Sequence, residues 1–114
     1  MVARIANFVV EQGATFAKSF TWKEGGVAKN LTGYTARMKA RPSITSDTVI
    51  IDASTANGKI TIDPLLGVIE LTISATETAA MTFTTAVYDL ELVSGAVVTR
   101  LVQGTLTLSR EVTR

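Results

Sequence analysis

The chain has 114 residues, enough for one hydrophobic core and too few for two, with eleven basic and ten acidic side chains and a formal charge of +1. Cysteine and histidine are both absent. Their absence excludes disulfide staples, thiolate nucleophiles and the usual zinc ligand sets, and it removes the side chains most used for proton transfer near neutral pH.

Threonine, alanine and valine dominate, and the β-branched residues fall in short alternating runs punctuated by Gly, Asn and Pro, the pattern of an all-β domain. The first run, Ile5 to Glu11, ends at Gln12-Gly13. The second, Thr15 to Trp22, puts Phe16, Lys18, Phe20 and Trp22 on one face. Lys18 is the misfit there, which places this strand at an edge, where the stem covers apolar surface and the amine reaches water. Lys23-Glu24-Gly25-Gly26 reads as a turn, and Val27 to Gly33 as an irregular connection whose Leu31 plugs the end of the domain. Tyr34 to Arg41 is the clearest strand, with Tyr34, Ala36, Met38 and Ala40 on one side and Thr35, Arg37, Lys39 and Arg41 on the other, ended by Pro42.

Thr48 to Ala53 forms a further strand, and Asn57-Gly58 supplies a hairpin turn before Lys59 to Asp63. Pro64-Leu65-Leu66-Gly67 turns the chain into Val68 to Ile73. Ser74 with Glu77 three residues on fits a capping box, which predicts one short helix within Ser74 to Met81, with Met81 closing the core. The C-terminal third reads as a hairpin, Tyr88 to Leu92 and Val97 to Gly104 about a Ser94-Gly95 turn, continuing into a final Thr-rich strand from Thr105 to Thr113. The expected fold is a single domain, 1–114, an antiparallel immunoglobulin-like (Ig-like) β-sandwich of about seven to nine strands. Phe20, Trp22, Met38, Ile69, Leu71, Tyr88, Leu90 and Leu92 point inward in it.

Several letters recur in a recognisable order: Tyr34-x-Ala36-x-Met38-x-Ala40-Arg41, Gly67-x-Ile69-x-Leu71-x-Ile73-Ser74, the Ala/Thr/Glu helix, Tyr88-Asp89-Leu90-Glu91-Leu92, Arg100-Leu101-x-x-Gly104 and the Glu111-Val112-Thr113-Arg114 end. Over Tyr34 to Arg114 this order resembles small β-sandwich modules of tailed-bacteriophage virions, namely the N-terminal domains of baseplate upper proteins and the collar or adaptor proteins that hold fibres to a tail. Before Gly33 the resemblance rests on Gly13-x-x-Phe16 and Leu31-Thr32-Gly33 alone. It implies a non-enzymatic structural protein of the tail, baseplate or neck, localised in the virion and joined to other phage structural proteins and to copies of itself in a ring.

Few constellations compete with that expectation. Arg37, Lys39 and Arg41 lie on one strand face at about 7 Å spacing, which could track a phosphate backbone. Asp89 and Glu91 lie on the outward face of a strand that neighbours it in Ig-like sandwiches, so a solvated ladder of ion pairs is the preferred reading of these five residues, and they are the candidate interface. Nucleic acid is accordingly not an expected partner. Asp47, Asp52 and Asp63 lack calcium-loop spacing. Glu70, Glu77, Asp89 and Glu91 are the candidates for a glycosidase pair, but no interleaved aromatics accompany them. Trp22 and Tyr88 read as core before interface. No catalytic, cofactor-binding or metal-ligating residues are assigned, and no cofactor is expected.

Mean hydropathy is +0.31, yet the longest uncharged run, Thr78 to Tyr88, is far shorter than the roughly 20 apolar residues of a membrane helix. The apolar excess belongs in a core or an interface, not a membrane. Met1 to Asn7 lacks the pattern of a secretory leader, which points to synthesis in the cytoplasm, the bacterial host's where the phage resemblance holds. The Asn30-Leu31-Thr32 sequon is then chance. The alternative reading is a carbohydrate-binding or adhesin-like β-sandwich, which requires an exposed aromatic platform.

Overall fold

A computed structural model describes residues 3–114; Met1 and Val2, part of the stretch read for a leader, lie outside the described residues. In chain order the elements are β1 (Arg4–Ile5), β2 (Phe8–Glu11), β3 (Phe16–Thr21), β4 (Lys23–Glu24), β5 (Val27–Ala28), β6 (Thr35–Arg41), β7 (Ile51–Ser54), β8 (Ile60–Asp63), β9 (Val68–Ile73), α1 (Ala75–Ala79), β10 (Thr85–Ser94) and β11 (Val97–Ser109). Eight of the strands have four or more residues, so the strand number falls within the expected range.

Two sheets form the sandwich. One has the order β1–β11–β10–β6–β7, with β2 also on β11, and the other has the order β3–β9–β8. This is the strand order of an Ig-like domain. Every ladder is antiparallel except those of β1 and β2, which run parallel to β11, Arg4 opposite Val102 and Phe8 opposite Leu106. The small antiparallel ribbon β4–β5 stands apart from both sheets, where the sequence had read only a turn.

Alternation builds the core. All eight residues expected to point inward are buried, and they form one cluster with Phe16, Leu31, Ile60, Ile73 and Leu106. Phe8 joins the layers: its ring lies 6.3 and 5.9 Å from those of Phe16 and Phe20 in one sheet and 6.1 Å from Tyr88 in the other. β3 is an edge strand, as Lys18 implied. The Lys18 ammonium sits over the Phe8 and Phe16 rings at 5.1 and 5.6 Å, exchanging part of its hydration for cation–π attraction.

The helix falls where its cap placed it, but the box is half formed. The Ser74 hydroxyl accepts from the Glu77 N–H at 3.2 Å, while the Glu77 carboxylate turns to the Ser74 hydroxyl at 3.3 Å and to Lys59 Nζ at 2.7 Å. Thr78, buried on the inner side of α1, accepts from the Gly13 N–H and donates to the Ala14 carbonyl, tying the helix to the β2–β3 turn.

Three local expectations are corrected. The strand read as Thr48 to Ala53 begins only at Ile51, and Asn57-Gly58 closes no hairpin, because β7 pairs with β6 while β8 pairs with β9 in the other sheet. Gly58 does take a positive φ of 79°, used here in a crossing between layers. The two C-terminal strands are one, β11, bent by a bulge where Leu90 pairs with Val102 but Glu91 pairs with Arg100; the extra residue lets Leu101 and Val102 both turn inward. That strand ends at Ser109 and not at Thr113; Leu106 to Ser109 are paired with β2, and Leu106 and Thr107 also with β10.

The break between β1 and β2 has a physical cause. The Ala6 carbonyl points across Gly104, where a Cβ would overlap its oxygen and stand 2.8 Å from Asn7 Oδ1. The Tyr88 hydroxyl donates to that carbonyl at 2.7 Å, and Asn7 Oδ1 accepts from the Thr105 N–H at 2.9 Å. Burial pushes the Tyr88 phenol up from 10.0 to about 12, offset in part by Arg4. Below pH 10 the phenol is neutral in both folded and unfolded chains; between pH 10 and about 12 only the unfolded chain ionises, so stability falls as pH rises through that window. The expected loss is about 2–3 kcal/mol. Tyr88→Phe is expected to lower stability at neutral pH by about 1 kcal/mol and to flatten the alkaline decline, both read from denaturant curves across pH.

Candidate functional site

Alternation along β6 sends Ala36, Met38 and Ala40 into the core and leaves Thr35, Arg37, Lys39 and Arg41 on the outer face. β10 repeats the arrangement, with Ala86, Tyr88, Leu90 and Leu92 inward and Val87, Asp89, Glu91 and Val93 outward. The register sets Glu91 opposite Arg37, Asp89 opposite Lys39 and Val87 opposite Arg41. All five candidate residues thus share one face. Two more join them: Asp52 on β7, opposite Lys39, and Arg100 on β11, opposite Glu91. Asp52 was legible as an outward residue, but its neighbours were not, because its strand's partner depends on the sheet order.

The charges are interleaved. Arg37 Nε donates to Glu91 Oε1 at 2.8 Å. Asp89 turns away from Lys39 to Arg100, whose Nε lies 3.4 Å from Asp89 Oδ2. Arg41 Nη1 donates to the Ser46 carbonyl at 3.2 Å, which anchors the connection between β6 and β7. Lys39 stands between Asp52 and Asp89 across the ladder, with no ion pair among the described residues. Carboxylates on β7 and β10 flank the row of Arg37, Lys39 and Arg41 on β6, so the sign of the face changes from strand to strand. Exposed pairs of this kind contribute about 0.2–1 kcal/mol each.

The outer face of the other sheet is plainer: its central row is Thr61, Glu70 and Ser19. Glu70 therefore lies on the opposite side of the sandwich from Asp89 and Glu91, and Glu77 on α1 is engaged with Lys59 at 2.7 Å, so of these four only Asp89 and Glu91 share a face. Asp47, Asp52 and Asp63 sit respectively in the β6–β7 connection, on β7 and at the end of β8. Among the described residues no group of three or more acidic side chains could hold a metal ion.

None of the seven aromatic residues is exposed. Trp22 and Tyr88 are both core, each 5% exposed. Trp22 packs edge-on against Tyr34, with ring centroids 5.8 Å apart, beneath the Lys29 ammonium at 5.1 Å. Lys29 is held in place by Glu24 at 2.7 Å, a hydrogen bond that raises its pKa. The Trp22 indole N–H is buried without a hydrogen-bond partner. One open cleft of 680 Å³ lies between the β6–β7 connection and the segment after α1, lined by Pro42, Ile50, Glu77, Met81 and Phe83 among others.

Among the described residues, seven of the ten large exposed apolar side chains lie at one loop end and one edge; Ile44 and Val49 are in the β6–β7 connection and Val112 is near the C-terminus. The backbone N–H of Trp22 donates to the Gly67 carbonyl and that of Leu31 to the Pro64 carbonyl, which binds the β3–β6 segment to the β8–β9 turn. Val93 opposite Thr35 brings the β10–β11 turn to the same end. Val27, Leu65 and Leu66 in the first two of these segments and Val97 and Val98 at the start of β11 are exposed at this end, and Ile5 and Val9 on the N-terminal edge.

No protein-family model matches the chain, and no curated protein matches it either.

Reversing one member of the Arg37–Glu91 pair tests the ladder. Arg37→Glu is expected to cost up to about 1 kcal/mol in chemical denaturation. Adding Glu91→Lys should restore only part of the loss, because the new lysine then faces Arg100; a double-mutant cycle measures both terms.

Proposed function

We propose that the chain is a non-enzymatic structural module of a tailed-bacteriophage virion, an adaptor or collar component of the tail, baseplate or neck that joins copies of itself to other virion proteins. The observation that carries this reading is the disposition of apolar surface. Exposed Val and Leu side chains crown the loop end, and Ile5 and Val9 line an edge, while four of the seven aromatic residues are buried and the other three, Phe8, Tyr34 and Phe83, are half-buried. Exposed apolar loops and edges suit contact with other proteins. A carbohydrate-binding module needs the opposite, rings laid open as a platform.

Support also comes from the order of motifs from Tyr34 to Arg114, which now maps onto β6, β9, α1, β10 and β11 of an Ig-like sandwich. The charged face offers side contacts of alternating sign, suited to orienting a neighbour more than to holding it tightly. Localisation in the particle and synthesis in the bacterial cytoplasm are part of the same proposal.

The test is to delete the gene from a phage that encodes it and image the particles, alongside labelling of intact particles with an antibody to this chain. Expected are particles with incomplete tails, and label at one axial position of the intact ones. Normal tails without the gene, together with unlabelled particles, would overturn the reading; saturable glycan binding by the purified domain would favour the carbohydrate-binding alternative.

A further inference from the structure

The sandwich has four outer strand edges, and three of them are guarded. β3 carries the inward Lys18. β8 is four residues long and is followed at once by Pro64. On β7 the guard is a side chain: Asn57 Oδ1 accepts from the Ser54 N–H at 3.0 Å while its Nδ2 donates to the Asp52 carbonyl at 2.9 Å. The amide thus occupies a donor and an acceptor of β7 as a neighbouring strand would. Inward charges, short edges, proline and covering groups are the devices that stop sheets from pairing edge to edge.

The edge formed by β1 and β2 is also short, at two and four residues, but it carries no proline and no covering group among the described residues. The Ala6 N–H donates to the Gln103 carbonyl and the Gln12 N–H to the Ser109 carbonyl, so the even-numbered peptide groups face β11. In a parallel ladder the alternate groups, at Ile5 and Val9, then face away from it, while Asn7 lies at the break between β1 and β2 with its side chain turned to the Thr105 N–H. Ile5 and Val9 carry their side chains on the solvent face, where Ile5 is 70% and Val9 55% exposed. Arg4 at one end of the edge and Glu11 at the other are exposed, and neither has an ion-pair partner among the described residues.

We propose that this edge pairs with the same edge of a second copy, antiparallel, about a two-fold axis through Asn7. Hydrogen-bond parity requires odd residues to face odd residues. Among such registers, the one centred on Asn7 sets Ile5 opposite the second copy's Val9 and Val9 opposite its Ile5, so both exposed apolar side chains find an apolar partner. Antiparallel pairing also brings the Arg4 end of each copy to the Glu11 end of the other. The contact is short and stays below the roughly 1,000 Å² of a stable interface, so it forms where copies are concentrated. A two-fold contact closes on itself, so a ring of copies would need the charged face or the loop end as its second contact. The inference concerns self-pairing alone and stands apart from where the protein works.

The chain has no cysteine, which makes cross-linking clean. Ile5→Cys and Val9→Cys are made as two separate proteins, mixed and mildly oxidised; cross-strand partners lie within disulfide reach. The expected result is mixed dimer in excess of the two-to-one ratio that random collision gives. Adding Val9→Lys to the Ile5→Cys protein should abolish its cross-linking to Val9→Cys, with the far-UV spectrum unchanged. Mixed dimer at or below the random ratio, or cross-linking that survives Val9→Lys, would overturn the proposal. Neither result bears on whether particles contain the chain, so the two readings fail separately.

Discussion

The close approach of the Ala6 carbonyl to Gly104 is the constraint on which the rest of the architecture turns. It is where the N-terminal strand, running parallel to β11, meets a position that admits no side chain. The Tyr88 hydroxyl reaches the same carbonyl from the core, so a single acceptor links β1, β10 and β11. The strand must break there, and the break separates β1 from β2. Phe8 then follows in the right place to span both layers, its ring against Phe16, Phe20 and Tyr88. Losing the glycine would displace the one element that joins the two sheets at this side of the sandwich.

Parallel addition has a second effect. A parallel strand directs alternate peptide groups to its single neighbour and the remainder to solvent, so the N-terminal edge keeps a row of unsatisfied groups alongside Ile5 and Val9. The other edges are managed by different chemistry: a lysine over two phenylalanine rings, a short strand stopped by proline, and an asparagine amide that takes the place of a strand. The surplus apolar character of the chain is distributed in keeping with this. Most of it fills one core, and what remains outside lies chiefly on loops and on the unguarded edge, not in the cleft.

Electrostatics plays an orienting part. Arg37 and Glu91 pair across the ladder, yet Asp89 prefers Arg100 on the next strand over Lys39 directly opposite. The pairs are exposed, so their worth to the fold is small; their consequence is a face whose sign changes from strand to strand.

Much of this was readable from residue order alone. Alternation with period two assigned the inward faces of β3, β6, β9 and β10 and the outward row of Arg37, Lys39 and Arg41, because a strand's two faces are determined locally. Ser74 and Glu77 marked the helix for the same reason. The partners of those faces were not readable. Asn57-Gly58 looks the same whether the next strand returns to its own sheet or crosses to the other, and only the packing of β8 against β9 decides between them. Nothing local distinguishes a parallel N-terminal strand from an antiparallel one, or shows that an asparagine will cap an edge three residues away from it. The sequence by itself determined which side of each strand is apolar. The tertiary structure alone decided which strands meet, and hence which charges pair and which edge stays open, since those depend on contacts between residues distant in the chain.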